Sequence, residues 1–286
     1  MKRVLCFRVA AHDAERDRMI AELYSLGTLG IEERADGLLA YFEAPVPEAH
    51  LRALEGCGVQ VRGPEPVPVH DWSRAWRAGL QPRQVSGLWL RCSFHPPCGE
   101  PELVIDPEQA FGSGEHASTR LALRLLLETL REGDDLLDVG SGTGVLGLAA
   151  LRCGAGAAFG LDIDTEACRA AVRNRLRNGL RLHVARARPE ALAPDAQFAL
   201  VVANLLLAEL LPSLADLAAH AGRALVLSGF LSPQMATLEA GMGKLGWELQ
   251  RRLSEAQGGD EWCAGQWSQG SALQNSRSAS RVCSNR

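Results

Sequence analysis

The stretch Leu136-Leu-Asp-Val-Gly-Ser-Gly-Thr-Gly-Val145 restricts what this chain can become more than any other. A short apolar run ends in Asp138, and glycines follow at the alternate positions 140, 142 and 144. Residues 145–151 then have helical spacing. Strand, tight turn and helix are expected in succession. Glycine has no Cβ, so the turn can close and a ligand can approach its backbone. The helix start presents unpaired N–H groups beside that ligand. A second apolar run, 157–163, carries Asp162, twenty-two residues beyond Gly140. An acid at the tip of the second strand is where doubly wound sheets hold a nucleoside ribose.

The glycine spacing is D-x-G-x-G-x-G. Dinucleotide sites use G-x-G-x-x-G, and a P-loop would place a lysine after the turn. The pattern resembles the first motif of class I S-adenosylmethionine-dependent methyltransferases, whose cofactor carries no phosphate. Downstream, apolar runs at 182–185, 198–203, 224–227, 247–253 and 261–267 alternate with helical spacing over 165–177, 206–219 and 233–245. Repeated β-α units imply an α/β fold with a parallel sheet covered by helices on both faces. The final pair of strands would add an antiparallel edge. The reading is a Rossmann-like doubly wound sheet of the class I methyltransferase type.

The first sixty residues read β-α-β-β-α-β, with Asp36-Gly37 as a hairpin turn, which predicts a small α+β ferredoxin-like domain. Gly63-Pro-Glu-Pro-Val-Pro68 is semi-rigid and reads as a linker. The expected organisation is a recognition domain over 1–66, a link with a helix and strands over 67–100, the cofactor-binding domain over 101–267, and a disordered Ser-, Asn- and Arg-rich tail over 268–286. Trp72 and Trp76 share one helical face and read as packing.

A net charge of −4 over 286 residues argues against bulk attraction to nucleic acid or to an anionic membrane, while leaving room for a local basic patch. Lysine occurs only at 2 and 244, so arginine carries nearly all the positive charge. No apolar run is long enough to span a bilayer, and the N-terminus lacks the apolar core of a signal peptide. Eight scattered cysteines without a C-x-x-C pair read as free thiols of a reducing cytoplasm. Cys92, His95 and Cys98 lie close together, but a structural zinc site wants a fourth ligand, and no metal is expected.

The second informative stretch is Asp106-Pro-Glu-Gln-Ala-Phe-Gly-Ser-Gly-Glu-His-Ala-Ser-Thr-Arg120. It is loop-like and runs into a helix immediately before the glycine strand, so it is placed to fold over the same pocket, with Phe111 and His116 lining the lid. Taken with the glycine turn, with Asp162-Ile-Asp164 and with Val201-Val-Ala-Asn-Leu205, it resembles the PrmA family, bacterial methyltransferases of ribosomal protein L-eleven (L11). The resemblance covers residues 1–264 or so. It implies S-adenosyl-L-methionine as cofactor, with Thr119, Gly140, Asp162 and Asn204 as its contacts, and no named catalytic base. It implies ribosomal protein L11 as partner, methylated on lysine side chains or on its N-terminal α-amine by a cytoplasmic monomer that needs neither nucleic acid nor membrane.

The physics of those positions agrees. Asp162 can accept both ribose hydroxyls, and Asn204 sits at a strand end where ligands collect. Leucines follow Asn204, where enzymes that methylate glutamine or adenine carry Pro-Pro-Tyr, which favours a flexible alkyl amine. Three departures from the family pattern stand out. Ser113, Ala117 and Ser118 replace Thr, Pro and Thr in the lid. Arg186-Ala-Arg188 stands where an acid often lies near adenine. Gly265-Gln-Trp-Ser-Gln-Gly270 replaces the final apolar strand, which is expected to be weak. The alternatives are a class I methyltransferase of another protein or of a small-molecule amine, and a catalytically degenerate module that retains the fold.

Overall fold

The computed structural model describes residues 4–9, 30–34, 37–43, 45–47, 61–66, 80–106 and 111–270, together with positions 19, 23, 26, 28 and 52. The chain divides into two compact units, 1–79 and 80–286.

In the first unit, β1 (Val4–Val9), β2 (Gly30–Arg34), β3 (Gly37–Glu43) and β4 (Val61–Pro66) form one antiparallel sheet in the order β2-β3-β1-β4. Met19 and Leu23, between β1 and β2, and Arg52, between β3 and β4, are helical. This is the split β-α-β order of a ferredoxin-like domain. Alternate residues of β1 and β3 make its core: Phe7, Val9, Leu38, Ala40 and Phe42 are buried with Met19 and Leu23. Phe7 meets Phe42 edge-on at 5.7 Å. Gly63 to Pro66, expected as linker, instead form β4. Proline is tolerated there because β4 is an edge strand, with one side free of ladder partners. Trp72, Trp76, Asp36, the start of the lid at 107–110 and the tail from 271 lie outside the described residues.

The second unit opens with a three-stranded sheet, β5 (Arg83–Val85), β6 (Leu88–Arg91) and β7 (Glu102–Val104). Leu88, Leu90 and Leu103 join the core beneath the next helix, so this segment packs with the large unit. Next come α1 (Ala117–Thr129), β8 (Asp135–Val139), α2 (Val145–Arg152), β9 (Ala157–Asp162), α3 (Thr165–Asn178) and β10 (Leu182–Arg186). They are followed by β11 (Phe198–Asn204), α4 (Leu207–His220), β12 (Ala221–Leu231), α5 (Met235–Lys244), β13 (Trp247–Gln257) and β14 (Asp260–Gln269). The seven-stranded order is β10-β9-β8-β11-β12-β14-β13. The first five strands are parallel, and β14 runs antiparallel between β12 and β13.

From β8 the chain winds outward to β10, then returns to β11 on the other side of β8. That reversal opens a crevice at the C-terminal ends of β8 and β11, where such sheets bind ligands. β11 shows why these strands read as unbroken apolar runs. Leu200 and Val202 face the core under α1 and α2, while Val201 and Ala203 face the core under α4 and α5.

The last strand is not weak. β14 pairs with β12 from Trp262 to Ser268 and with β13 along its whole length. Gly265 is no break: a Cβ there would lie 2.3 Å from the Trp267 ring, so the missing side chain admits the indole, which is fully buried. Ser268 and Gln269, assigned from sequence to the tail, belong to this strand, and the Gly270 N–H donates to Gly246 O at 2.9 Å. Among the described residues no helix is long and apolar enough to cross a membrane.

Candidate active site

A cavity of about 720 Å³ opens at the crevice between β8 and β11. Its floor is the glycine turn. The N–H groups of Gly140 and Ser141 both donate to Leu161 O, at 2.8 and 3.0 Å, which ties the turn to the end of β9. Gly140 and Gly142 have φ of +70° and +52°, a left-handed conformation that side chains disfavour. Crowding adds a second reason for glycine. A Cβ would fall 2.4 Å from Leu205 Cδ2 at Gly140, and 2.4 Å from Phe111 O at Gly142.

Asp162 closes the turn. Its Oδ2 accepts from Gly142 N–H at 2.8 Å and its Oδ1 from Asp164 N–H at 2.9 Å. Each oxygen keeps a second lone pair for a ligand, so the carboxylate shapes the turn and still faces the cavity. Asp164 in turn caps α3, accepting from Glu166 N–H.

Asn204 ends β11 inside the cavity. Its Nδ2 donates to Thr119 Oγ1 at 3.2 Å, and its Oδ1 is buried with no hydrogen-bond partner. A buried amide oxygen without a partner costs about 1–3 kcal/mol, so this atom is an acceptor that a ligand would complete. The structure therefore brings together all four residues singled out by the sequence, in two ranks. Gly140, Asp162 and Asn204 line the cavity, while Thr119, fully buried, stands behind and orients the amide. Asn204→Ala is expected to lower kcat/KM for methyl transfer by about 10- to 100-fold, the worth of one hydrogen bond to a charged group. Thr119→Val, which only frees the amide to turn, is expected to cost about fivefold. Equal losses would place the threonine itself against the ligand.

The lid folds over this floor. Thr143 N–H donates to Phe111 O at 3.0 Å, and Thr143 Oγ1 donates to Gly112 O at 2.7 Å. His116 caps α1, accepting from Ser118 N–H on Nδ1, and its ring meets those of Phe111 and Trp262 edge-on. Burial, then the nearby Arg120 charge, hold its pKa below the usual histidine value, so the ring is neutral at pH 7. The end of the β13–β14 hairpin grips the lid from outside. Gln257 Oε1 accepts from Ala117 N–H, Gln257 Nε2 donates to Glu115 O, and Arg120 pairs with Glu255.

From below, two asparagines of α3 tether the strand that leads into the lid. Asn178 bonds both the N–H and the C=O of Val104 at 2.8 Å. Asn174 bonds the N–H and C=O of Asp106 and also Thr143 O, at 3.0 Å. Sequence reading found Phe111, His116 and the Asn204-Leu205 strand end but missed the parts played by Gly229, Trp262 and these amides. They reach the site through tertiary contacts that leave no local pattern.

Beneath the turn, Asp138 is fully buried. Gly147 N–H donates to its Oδ2 at 3.0 Å, while Oδ1 has no partner. Burial pushes the carboxyl up to about 7; the Gly147 N–H opposes the rise, and the Asp162 charge adds to it. An unfolded aspartate titrates at about 3.9, so the native state binds more protons between those values. Stability therefore falls as pH rises from about 4 to about 7. Asp138→Asn is expected to flatten that stretch of the urea midpoint against pH, by up to about 1.4 kcal/mol per pH unit. An unchanged profile would remove Asp138 as its source.

Two of the departures from the family pattern fall at this site and have local outcomes. Ser118 Oγ meets His116 Nδ1 at 2.8 Å, so the lid keeps a hydroxyl on its cap. Ala187, Pro189 and Ile163 give that end of the cavity apolar walls with Arg188 among them at the mouth, and Glu190, the next acid along the chain, is not part of the lining. Cys92, His95 and Cys98 form no metal-holding group; among the described residues there is none.

A five-stranded parallel core with an antiparallel β14 inserted beside β12, and a glycine cradle with a strand-tip acid at its switch point, define a class I S-adenosylmethionine-dependent methyltransferase. The cradle, the Asp162 carboxylate and the orphaned Asn204 Oδ1 fit that cofactor's ribose and its cationic amino-acid end. The chain belongs to the ribosomal protein L11 methyltransferase (PrmA) family, whose description matches residues 6–269. The ribosomal protein L11 methyltransferase of Thermus thermophilus is 38% identical over 250 residues, covering 86% of this chain and 92% of that one. That of Azotobacter vinelandii is 39% identical over 218 residues, covering 71% and 73%. A crystal structure of the ribosomal protein L11 methylase from Lactobacillus delbrueckii subsp. bulgaricus superposes with a TM-score of 0.56 at 27% identity, covering 64% of this chain and 95% of that one.

Proposed function

We propose that this enzyme transfers methyl groups to amines of ribosomal protein L11, on lysine side chains, on the N-terminal α-amine, or on both. The observation that carries the methyl-transfer chemistry is Asn204 Oδ1, a buried acceptor with no protein partner at the strand end of the cavity, and the choice of L11 follows the family to which the chain belongs. Leu205 and Leu206 follow it, so the strand end itself carries no aromatic next to the amide, which favours a flexible alkyl amine over a planar amide or base. In this reading Gly140, Asp162 and Asn204 contact the cofactor, Thr119 holds the Asn204 amide, and residues 1–66 recognise the protein substrate.

S-adenosylmethionine brings a methyl on a sulfonium whose sulfur is already a good leaving group. The protein's part is to position a neutral amine in line and to exclude water. A free lysine titrates at about 10.4 and must first lose a proton; burial of the amine beside positive charge favours that loss. Phe111, Ile163 and Leu206 stand at the cavity with 57%, 52% and 59% of their surface exposed, an apolar rim that bound substrate would cover.

The test is to incubate the enzyme with labelled S-adenosylmethionine and isolated L11, then map the label by mass spectrometry. Label on amines of L11 is expected. Intact cofactor binding with no transfer to L11 would overturn the substrate; loss of cofactor binding as well would favour a degenerate module.

A further inference from the structure

Seven arginines fall between positions 169 and 188, and these twenty residues contain no aspartate or glutamate. The chain as a whole is acidic, with a formal charge of −4, so the local charge opposes the average. All seven lie on α3, on β10 and on the turns that flank β10. Arg169, Arg173 and Arg177 repeat every four residues and form one stripe along α3, about 12 Å long at the helical rise. Arg175 donates to Leu182 O at 2.8 Å, which joins the helix to β10. β10 is the outermost strand of the sheet. Arg181, Arg186 and Arg188 continue the charge along it to the cavity mouth, where Arg188 is part of the lining. Arg169, Arg177, Arg181, Arg186 and Arg188 are exposed.

Among the described residues the carboxylates nearby, Asp106, Asp162, Asp164 and Glu166, are four against seven arginines and offset only part of this charge. Glu166 pairs with Arg169 at 2.5 Å and Asp106 with Arg177 at 3.2 Å, while Asp162 and Asp164 turn oxygens to backbone N–H groups. The Arg169 pair is largely exposed and so worth little.

We propose that the α3–β10 face docks an RNA phosphate backbone beside the mouth of the active site. A continuous stripe of cations matches a linear polyanion better than it matches a compact acidic patch on a protein. Guanidinium groups also engage phosphate oxygens in pairs. Clustering of arginine along a helix is the usual electrostatic footprint of nucleic-acid binding. The biological meaning of the surface rests on the reading that the substrate is a ribosomal protein, which would then be presented with RNA attached.

The test uses the full chain and a short synthetic RNA duplex, with binding followed by fluorescence anisotropy over a potassium chloride series. Binding is expected at low salt, with log K falling linearly with log salt concentration. R169Q/R181Q is expected to reduce that slope by about 1.8, at about 0.9 for each phosphate no longer neutralised. R169K/R181K is expected to keep the slope, and both variants to methylate isolated L11 at the wild-type rate. No duplex binding at low salt, or an equal slope in the glutamine variant, would overturn the proposal. Binding of poly-glutamate with the same salt dependence would overturn it too, in favour of an acidic protein partner. If wild-type enzyme fails to methylate isolated L11, the substrate reading fails while the duplex result stands by itself.

Discussion

Asp162→Ala is expected to raise the dissociation constant for S-adenosylhomocysteine by at least about 100-fold, measured by calorimetry. The side chain does two things at once. It holds the N–H groups of Gly142 and Asp164 at 2.8 and 2.9 Å, and it offers lone pairs to the ribose. Hydrogen bonds to a charged acceptor contribute about 1.5–3 kcal/mol each, and about 1.4 kcal/mol is tenfold in affinity. Losing the two protein bonds alone accounts for the stated change, because the turn must then be ordered at the expense of binding. Asp162→Asn keeps one accepting oxygen and is expected to fall between wild type and the alanine variant. Unchanged affinity in Asp162→Ala would show that the strand-tip acid plays no part in the cofactor site.

Gly229→Ala is expected to destabilise the fold by about 3 kcal/mol or more and to reduce methyl transfer by at least about 100-fold. Gly229 has φ +92°, and a Cβ there would stand 2.3, 2.7 and 2.8 Å from O, C and N of Leu205. Left-handed backbone costs a non-glycine residue about 1–2 kcal/mol, and overpacking costs about 1–3 more. Both obstacles are backbone, so no side chain can rotate away. The register of β12 against β14 shifts at this residue. That irregularity lets Leu205 N–H reach Ser228 O at 3.1 Å, and Leu205 is the neighbour of Asn204. Gly243→Ala in α5 is the control: nothing lies within 4 Å of the position, and alanine is expected to be neutral or stabilising there. Wild-type urea midpoint and rate in Gly229→Ala would sink the argument.

Gly229 also marks the limit of what could be read from the residues in order. Gly140, Asp162 and Asn204 were legible because each sits at the tip of an apolar run, and strand tips at a reversal of sheet order are where ligands bind. The parallel core was legible for the same reason: its runs are buried on both faces and bounded by turns. Gly229 carries no such mark, since its role depends on which strand lies beside it. Gly265 misled outright, reading as a weak strand because the indole that fills its empty face comes from Trp267 folding back over it. The prolines of β4 misled in the same way, because an edge position cannot be recognised before the sheet order is known. The arginine cluster was visible as composition, but its placement on one helix and the outermost strand was not.

The grip of Gln257, Glu255 and Trp262 on the start of α1 joins residues about 140 positions apart. In a chain emerging from the ribosome the residues of the cofactor cradle, 138 to 204, are out before the hairpin that clasps the lid. The clasp on the lid comes last, because β14 ends at Gln269. Without the final hairpin the lid would keep its inner ties to Thr143 and to the α3 asparagines but lose the outer clasp, so the two ends of this domain are closed over the cofactor by the segment made last.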